Sequence, residues 1–359
     1  MHKNDEKDQI IDKKLNSLKW IGEDVNEWSQ GIRNGYARAY IIFSLLDTGV
    51  FEALRGHKKT SIQLANECNL NSYLLDGVLS YLTYADVVLE KEHDSYFFTE
   101  KGLEYIFSDK IRTISYGAVG GYSCLFTNLT ASLKNEVKYG DDYVRQGDFV
   151  AISSQVTGGG NYKWITDKLS ELGVETVLDL GCGTAGVLTE YCRLNPNING
   201  IGVDISESAI EEATKIVAEN NLSDRIKLVV GDITKPETYE SQAGKFQAIN
   251  GVMVFHEFLR EGEEYMVNLL KDMKNKFPGT YLFLGEVDIY SDAEIRTLEI
   301  PNRTHFLFYQ YVIHALTWQG MPMHKEKWID IMERAGLEIV EVKEDLPSLL
   351  RIVEIVAKF

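Results

Sequence analysis

The stretch Val177–Asp204, VLDLGCGTAGVLTEYCRLNPNINGIGVD, decides the fold. Val177–Leu180 is apolar apart from Asp179 and runs into Gly181-Cys182-Gly183-Thr184-Ala185-Gly186, then into a helix-like segment. A second apolar run, Ile198–Val203, ends in Asp204. Strand, glycine turn, helix, strand is a βαβ unit, and the glycines of its first turn let a ligand approach the backbone closely. Dinucleotide-binding proteins share this glycine spacing. Asp179 refines the choice, because a carboxylate two residues before Gly181 is an unwelcome neighbour for a pyrophosphate. Asp204 ends the second strand, where a carboxylate can accept both hydroxyls of a ribose. Ile226–Val230 followed by Gly231-Asp232 gives a third strand with an acid at its end.

Glycine turn, ribose acid and a further strand-end acid, in this order, resemble the class I methyltransferases that use S-adenosylmethionine (SAM). That resemblance implies SAM as cofactor and a Rossmann-like α/β domain. It assigns Asp179, Gly181 and Gly183 to the methionine part, Asp204 with the following Ile205 to the ribose, and Asp232 with Ile233 to the adenine. The alternative is a nucleotide fold that binds another ligand.

The composition fits such a protein and narrows its substrates. The chain has 359 residues, enough for two domains, with 44% hydrophobic and 25% charged residues. A net charge of −17 argues against nucleic acid partners, since docking on phosphates needs a basic face. Cys68, Cys124, Cys182 and Cys192 lack paired metal spacing and read as thiols of a reducing compartment. No apolar run approaches the roughly 18 residues needed to span a bilayer, and the charged start MHKNDEKDQIIDKK lacks the apolar core of a signal peptide. A cytoplasmic protein with neither membrane nor nucleic acid partners is expected.

Residues 1–18 are polar and read as frayed or as a short helix. Tyr36–Phe51 has helical spacing, Thr60-Ser61 opens a second helix at a Ser/Thr cap, and Asn71–Ala85 forms another. Val87–Leu89 and Tyr96–Phe98, joined by a charged turn, read as a β-hairpin, and Thr99 opens the next helix. Helices followed by a hairpin form the winged-helix pattern. The run Leu-Asp-x-Gly-Val-Phe, then helices, then Tyr-x-x-Thr-x-x-Gly resembles the N-terminal domain of small-molecule O-methyltransferases. In that family the domain forms the dimer interface and covers the active site. The resemblance thus extends from about Tyr36 to the C-terminus. It implies an N-terminal all-α/winged-helix dimerisation domain over 1–135, a SAM-binding Rossmann-like catalytic domain over 136–359, and a homodimer.

Ile114–Lys138 reads as a connecting helix. Tyr139–Gly160, with Gly140, Arg145, Gly147 and Gly158-Gly159-Gly160, reads as a loop, either a cover for SAM or a plain linker. Phe246–Val254, Tyr281–Val287 and Leu337–Val342 are further strands, with Leu350–Ala357 as an edge strand. Helices at Ser206–Asn220, Glu263–Lys276 and Lys325–Ala335 alternate with them, as a doubly wound sheet requires.

The strand Phe246–Val254 runs into Phe255-His256-Glu257, at the sheet edge where open α/β folds place ligands. Small-molecule O-methyltransferases carry a His-Asp pair here, whose histidine takes a proton from a substrate hydroxyl. Here Glu257 stands where aspartate is expected, and Glu286 matches the glutamate that orients the histidine. By this resemblance His256 and Glu286 are catalytic. The bland alternative is a strand-end histidine that only packs.

A second histidine, His314, lies on the predicted helix Tyr309–Thr317, ahead of Gln319-Gly320-Met321-Pro322. Two histidines and a carboxylate are the minimal facial ligand set for a divalent or ferric ion. His256, Glu257 and His314 form such a set if this helix packs over the strand end and the backbone bends after it. His305 is a rival ligand, and His314 has the alternative of being a buried, hydrogen-bonded core histidine. The pattern HALT-x-QG resembles a branch that C-methylates α-keto acids with a bound metal, which implies an Fe or Zn ion. The preferred expectation is metal-assisted C-methylation beside the ketone of a small α-keto acid. O-methylation with His256 as general base is the alternative, and a non-catalytic SAM-binding regulator is the remote one. Tyr309, Tyr311 and Arg303 are candidates for substrate contact.

Overall fold

The computed structural model describes residues 25–85, 88–158, 162–297, 306–321, 323–344 and 351–359, apart from the side chains of 25–28, 151, 154–158, 292, 295, 306–308 and 310. The expectations for residues 1–18, Val87, Gly159-Gly160, Arg303, His305 and Pro322 lie outside the described residues. Two compact units divide between Gly121 and Tyr122, whereas the sequence reading put its boundary after residue 135. The π-helical segment Ser115–Gly121 packs on Asp109–Ile114 and on Val25–Asp47, which ties it to the first unit.

The first unit begins with the helix Val25–Asp47, which stops before Gly49, a glycine at φ 75° that starts the short helix Val50–Leu54. Thr60 caps Ser61–Cys68 through a complete capping box with Gln63, and Asn71 caps Ser72–Tyr84. The hairpin of β2 (Leu89–Glu92) and β3 (Ser95–Phe98) follows, and β1 (Lys59–Thr60) adds a third strand beside β3. Thr99 then caps Glu100–Ile106. Phe51, Leu54, Leu64, Leu79, Leu82 and Tyr96 form the fully buried centre of this unit. The Tyr96 hydroxyl donates to Asp76 at 2.8 Å, so its one polar atom is satisfied.

The second unit is a seven-stranded sheet in the order β6-β5-β4-β7-β8-β10-β9. Its strands are β4 (Thr176–Leu180), β5 (Asn199–Asp204), β6 (Ile226–Val230), β7 (Ala248–Val252), β8 (Tyr281–Val287), β9 (Glu338–Lys343) and β10 (Ile352–Lys358). Strands β4 to β8 pair in parallel, and β10 runs antiparallel to both β8 and β9. The expectation that the last strand is an edge is corrected: β10 lies between β8 and β9, and β9 is the edge. The burial pattern explains this, since six consecutive β10 residues are buried and a strand covered on both faces reads as a continuous apolar run.

Connections clarify where a ligand belongs. From β4 the chain winds outward through β5 and β6, then returns to lay β7 on the other side of β4. The crevice at the carboxyl ends of β4 and β7 is therefore the switch point at which open parallel sheets bind ligands. The helices Gly186–Leu194, Glu207–Glu219, Glu263–Lys276 and Lys325–Arg334 cover the sheet. Two stretches differ from their reading. Ile114–Lys138 is not one helix but a π turn followed by the short helices Ser123–Thr127 and Leu129–Leu133. Gly147–Gly158 is a helix rather than a loop. Among the described residues no helix is long and apolar enough to cross a membrane.

Candidate active site

The glycine turn forms because β4 ends in positions that only small residues tolerate. Gly181 has φ 72°, and a Cβ there would lie 2.6 Å from a Val254 methyl carbon. Gly183 has φ 53°, and its N–H donates to Asp204 Oδ2 at 2.9 Å. The other oxygen of Asp204 accepts from the Ser206 N–H at 2.9 Å. Two backbone donors thus fix the carboxylate at the end of β5, and its remaining lone pairs are available to hydroxyls. Ile205, beside it, is 72% exposed, an apolar surface next to the predicted ribose acid. Ile233 is buried. Asp232 spends its oxygens on Thr234 at 2.7 Å and Lys235 at 3.0 Å, closing the turn after β6. Burial raises its pKa, but these hydrogen bonds outweigh that and hold the group below the usual carboxylate range.

Parallel pairing sets Asp179 of β4 beside Asn250 of β7, across the switch point. Asn250 donates to Asp179 Oδ1 at 2.6 Å and accepts from the Tyr191 hydroxyl at 3.1 Å. The second oxygen of Asp179 is buried without a protein partner. Burial, opposed by the Asn250 hydrogen bond and assisted by the charge of Asp204, pushes the Asp179 carboxyl up to about 7. Neither Asn250 nor Tyr191 was singled out from sequence. The signal was there for Asn250, an amide in the otherwise apolar strand AINGV.

Beyond β7 the backbone bends at Met253, which takes φ 55° while its N–H donates to the Gly285 carbonyl at 2.8 Å. A single 3₁₀ segment, Phe255–Glu261, follows and turns His256 inward. The backbone therefore bends after the strand, ahead of adjacent His256 and Glu257. His256 and Glu286 are both buried, and Nδ1 of His256 lies 2.8 Å from Glu286 Oε2. The His256 N–H donates to the other oxygen of that carboxylate at 3.1 Å. Burial pulls the imidazole pKa down. The charge and hydrogen bond of Glu286, aided by Glu257 and opposed by Arg145, outweigh burial and leave it raised.

The helix Phe306–Leu316 carries His314, also buried, whose ring meets that of His256 edge-on at 4.7 Å between centroids and 78° between planes. Gly320 lets the chain after this helix lie against the His256–Leu259 backbone, because a Cβ there would fall on the His256 carbonyl oxygen and lie 2.5 Å from Leu259 Cβ. Glu257 accepts from Gln319 Nε2 at 2.7 Å and faces Arg145 Nη2 at 3.5 Å. Among the described residues no three His, Cys, Asp or Glu side chains stand close enough to hold a metal ion. The donor chemistry nevertheless suits one: two imidazoles in contact, with a carboxylate on the residue beside one of them. Glu257 would have to exchange Gln319 for the ion. Tyr309 stacks on Phe126 with centroids 5.7 Å apart.

Comparison with known proteins finds methyltransferases. Residues 173–283 match the family described as a methyltransferase domain. The chain is 24% identical over 313 residues to a 2-ketoarginine methyltransferase of Streptomyces arginensis, covering 85% of this chain and 87% of that protein. It is 22% identical over 258 residues to the methyltransferase ungE' of Aspergillus campestris, covering 70% and 73%. Human N-acetylserotonin methyltransferase, solved with SAM, superposes with a TM-score of 0.67 at 14% identity, over 94% of this chain and 98% of that one. The mitomycin 7-O-methyltransferase MmcR gives 0.66 at 16% identity, over 93% and 98%. At such identities the solved structures establish the fold.

Proposed function

We propose, for a chain that belongs to the class I methyltransferases that use SAM, transfer of the methyl group to the carbon beside the ketone of a small α-keto acid. The observation that carries this reading is the edge-on contact of His256 and His314, with Glu257 adjoining. The extended likeness to a 2-ketoarginine methyltransferase supports the substrate class. His256, His314 and Glu257 would hold one Fe or Zn ion. Such an ion, when bound, would supply Lewis acidity that favours enolisation, the carbon's proton passing to water. The S–CH3 bond of SAM then breaks as the new C–CH3 bond forms, leaving S-adenosylhomocysteine.

The chain's own residues set the geometry. Glu286 accepts the Nδ1–H of His256, which fixes the tautomer and turns the Nε2 lone pair to the site. Asp204 and the glycine turn hold SAM, and Asp179 offers its unpartnered oxygen to the cationic end of the cofactor. A homodimer through the first unit belongs to the same reading, supported by exposed Ile32, Tyr36, Tyr73 and Leu74.

A second reading, O-methylation of a hydroxyl, is favoured by the same His256–Glu286 dyad. With Nδ1–H held, Nε2 can accept a hydroxyl proton as general base. The two readings separate in one experiment. Protein purified without a histidine tag is analysed for metal, then incubated with SAM labelled with ¹³C in its methyl group and with α-keto acids or phenols in parallel. About one equivalent of Fe or Zn, lost in His314→Ala, together with an aliphatic ¹³C-methyl product supports C-methylation. A metal-free protein that yields a methoxy signal overturns it in favour of the general base.

A further inference from the structure

Arg145 has no part in the chemistry described so far, yet it is built into the site. It follows a closed turn in which Gly140, at φ 93°, donates its N–H to the Tyr143 carbonyl at 2.9 Å. Tyr143 is pinned by Ser132 at 2.8 Å, and Tyr139 packs on it edge-on. The Tyr139 hydroxyl accepts from the Arg145 N–H at 3.5 Å. The guanidinium lies over the Tyr122 ring, 5.8 Å from its centroid, and Nη1 donates to the Tyr122 hydroxyl at 3.2 Å. Its side chain is 28% exposed.

A guanidinium carries five N–H donors in a fixed fork. Among the described residues this one engages a phenol and, through Nη2, Glu257 at 3.5 Å. That separation is long for a charge-assisted bond, which normally lies near 2.7–2.9 Å. The same Glu257 oxygen accepts from Gln319 at 2.7 Å, and that bond is the shorter of the two. Arg145 is therefore a permanently charged, half-buried fork placed beside His256 with unused donors. Its loosely held partner, Glu257, is the residue that leaves if it becomes a ligand.

We propose that Arg145 anchors the carboxylate of the substrate, with Glu257 as its counter-ion in the empty site. The assignment rests on the α-keto acid reading above and deepens it. A planar carboxylate matches the fork in bidentate fashion, which a neutral ketone cannot do. The Tyr122 ring beneath and the pinned turn behind hold the fork in place, so little side-chain freedom is lost on binding. Arg145 thereby becomes the residue that selects keto acids over ketones and esters. When Glu257 moves to an ion, its negative charge leaves the fork and the incoming carboxylate replaces it, so the charge balance at Arg145 is kept.

The test is equilibrium binding, read by calorimetry on protein saturated with S-adenosylhomocysteine, with phenylpyruvate and its methyl ester as probes. In the wild type the acid should bind more tightly than the ester. Arg145→Met should weaken the acid by about 10- to 100-fold, the effect of losing a bond to a charged group, and leave the ester unchanged. Arg145→Lys, which keeps the charge and loses the fork, should fall between. S-adenosylhomocysteine affinity and melting temperature, measured on both variants, show that the fold is kept. Equal weakening of acid and ester, or none, overturns the assignment alone. Wild-type protein that binds neither probe while methylating a phenol overturns the keto acid reading and this assignment with it.

Discussion

Glu286 holds His256 at two points: one carboxylate oxygen meets the imidazole Nδ1 at 2.8 Å and the other accepts the His256 N–H at 3.1 Å. A single side chain on β8 thus fixes both the tautomer of the ring and the backbone turn that carries it. The arrangement serves either chemistry, since a metal-binding imidazole and a general base both need Nε2 unprotonated and aimed.

Glu286→Gln tests that double role. The amide keeps the size of the carboxylate but removes its charge. Activity should fall by about 10- to 100-fold, as for partners that orient a metal-bound or catalytic histidine, while SAM affinity stays unchanged. Steady-state rates beside calorimetric titration of SAM check this, and a parallel loss of SAM affinity would show a structural role instead.

Gly320→Ala asks whether the two imidazoles must touch. The added methyl would overlap the His256 carbonyl and Leu259. Overpacking against backbone should cost about 1–3 kcal/mol and displace His314 from His256. Thermal unfolding should show a lower midpoint, and metal content should drop in the same variant.

Asp179 predicts how cofactor binding depends on pH. Its folded pKa of about 7 is raised above the usual carboxylate value. The native protein therefore binds a proton that the unfolded chain has already lost, and stability without cofactor declines as pH rises from about 4 towards 7. SAM brings a sulfonium and an ammonium, which favour the ionised carboxylate. SAM binding should tighten as pH rises to about 7, by at most about tenfold per unit, with release of a proton. Titrations in buffers of differing ionisation enthalpy read this directly, and Asp179→Asn should flatten the profile.

Asp204→Ala should weaken SAM by at least about tenfold, since it removes a charged acceptor from the cofactor and from the Gly183 and Ser206 N–H groups together. Asp232→Ala should act chiefly on the turn after β6, because its oxygens are already committed to Thr234 and Lys235. Comparing the two by calorimetry and thermal unfolding separates a ribose contact from a turn brace.

Much of this was written in local pattern. The glycine turn, the acids at the ends of β5 and β6 and the capped helices of the first unit all arise from residues within a few positions of one another. Periodicity and capping chemistry act over that range, so the βαβ unit and the capped helices were legible, whereas SAM and the pairing of His256 with Glu286, 30 residues apart, were expected only from the family resemblance. Other features depend on which strand lies beside which. Asn250 meets Asp179 because β7 returns to pair with β4, and β10 is buried because it inserts between β8 and β9. The contact of His256 with His314 depends on a helix far downstream, Phe306–Leu316, docking at the end of β7. The sequence by itself determined the local chemistry and the fold class. Only the tertiary structure decided which buried charges face one another, because that depends on strand order and close packing, which no local pattern encodes.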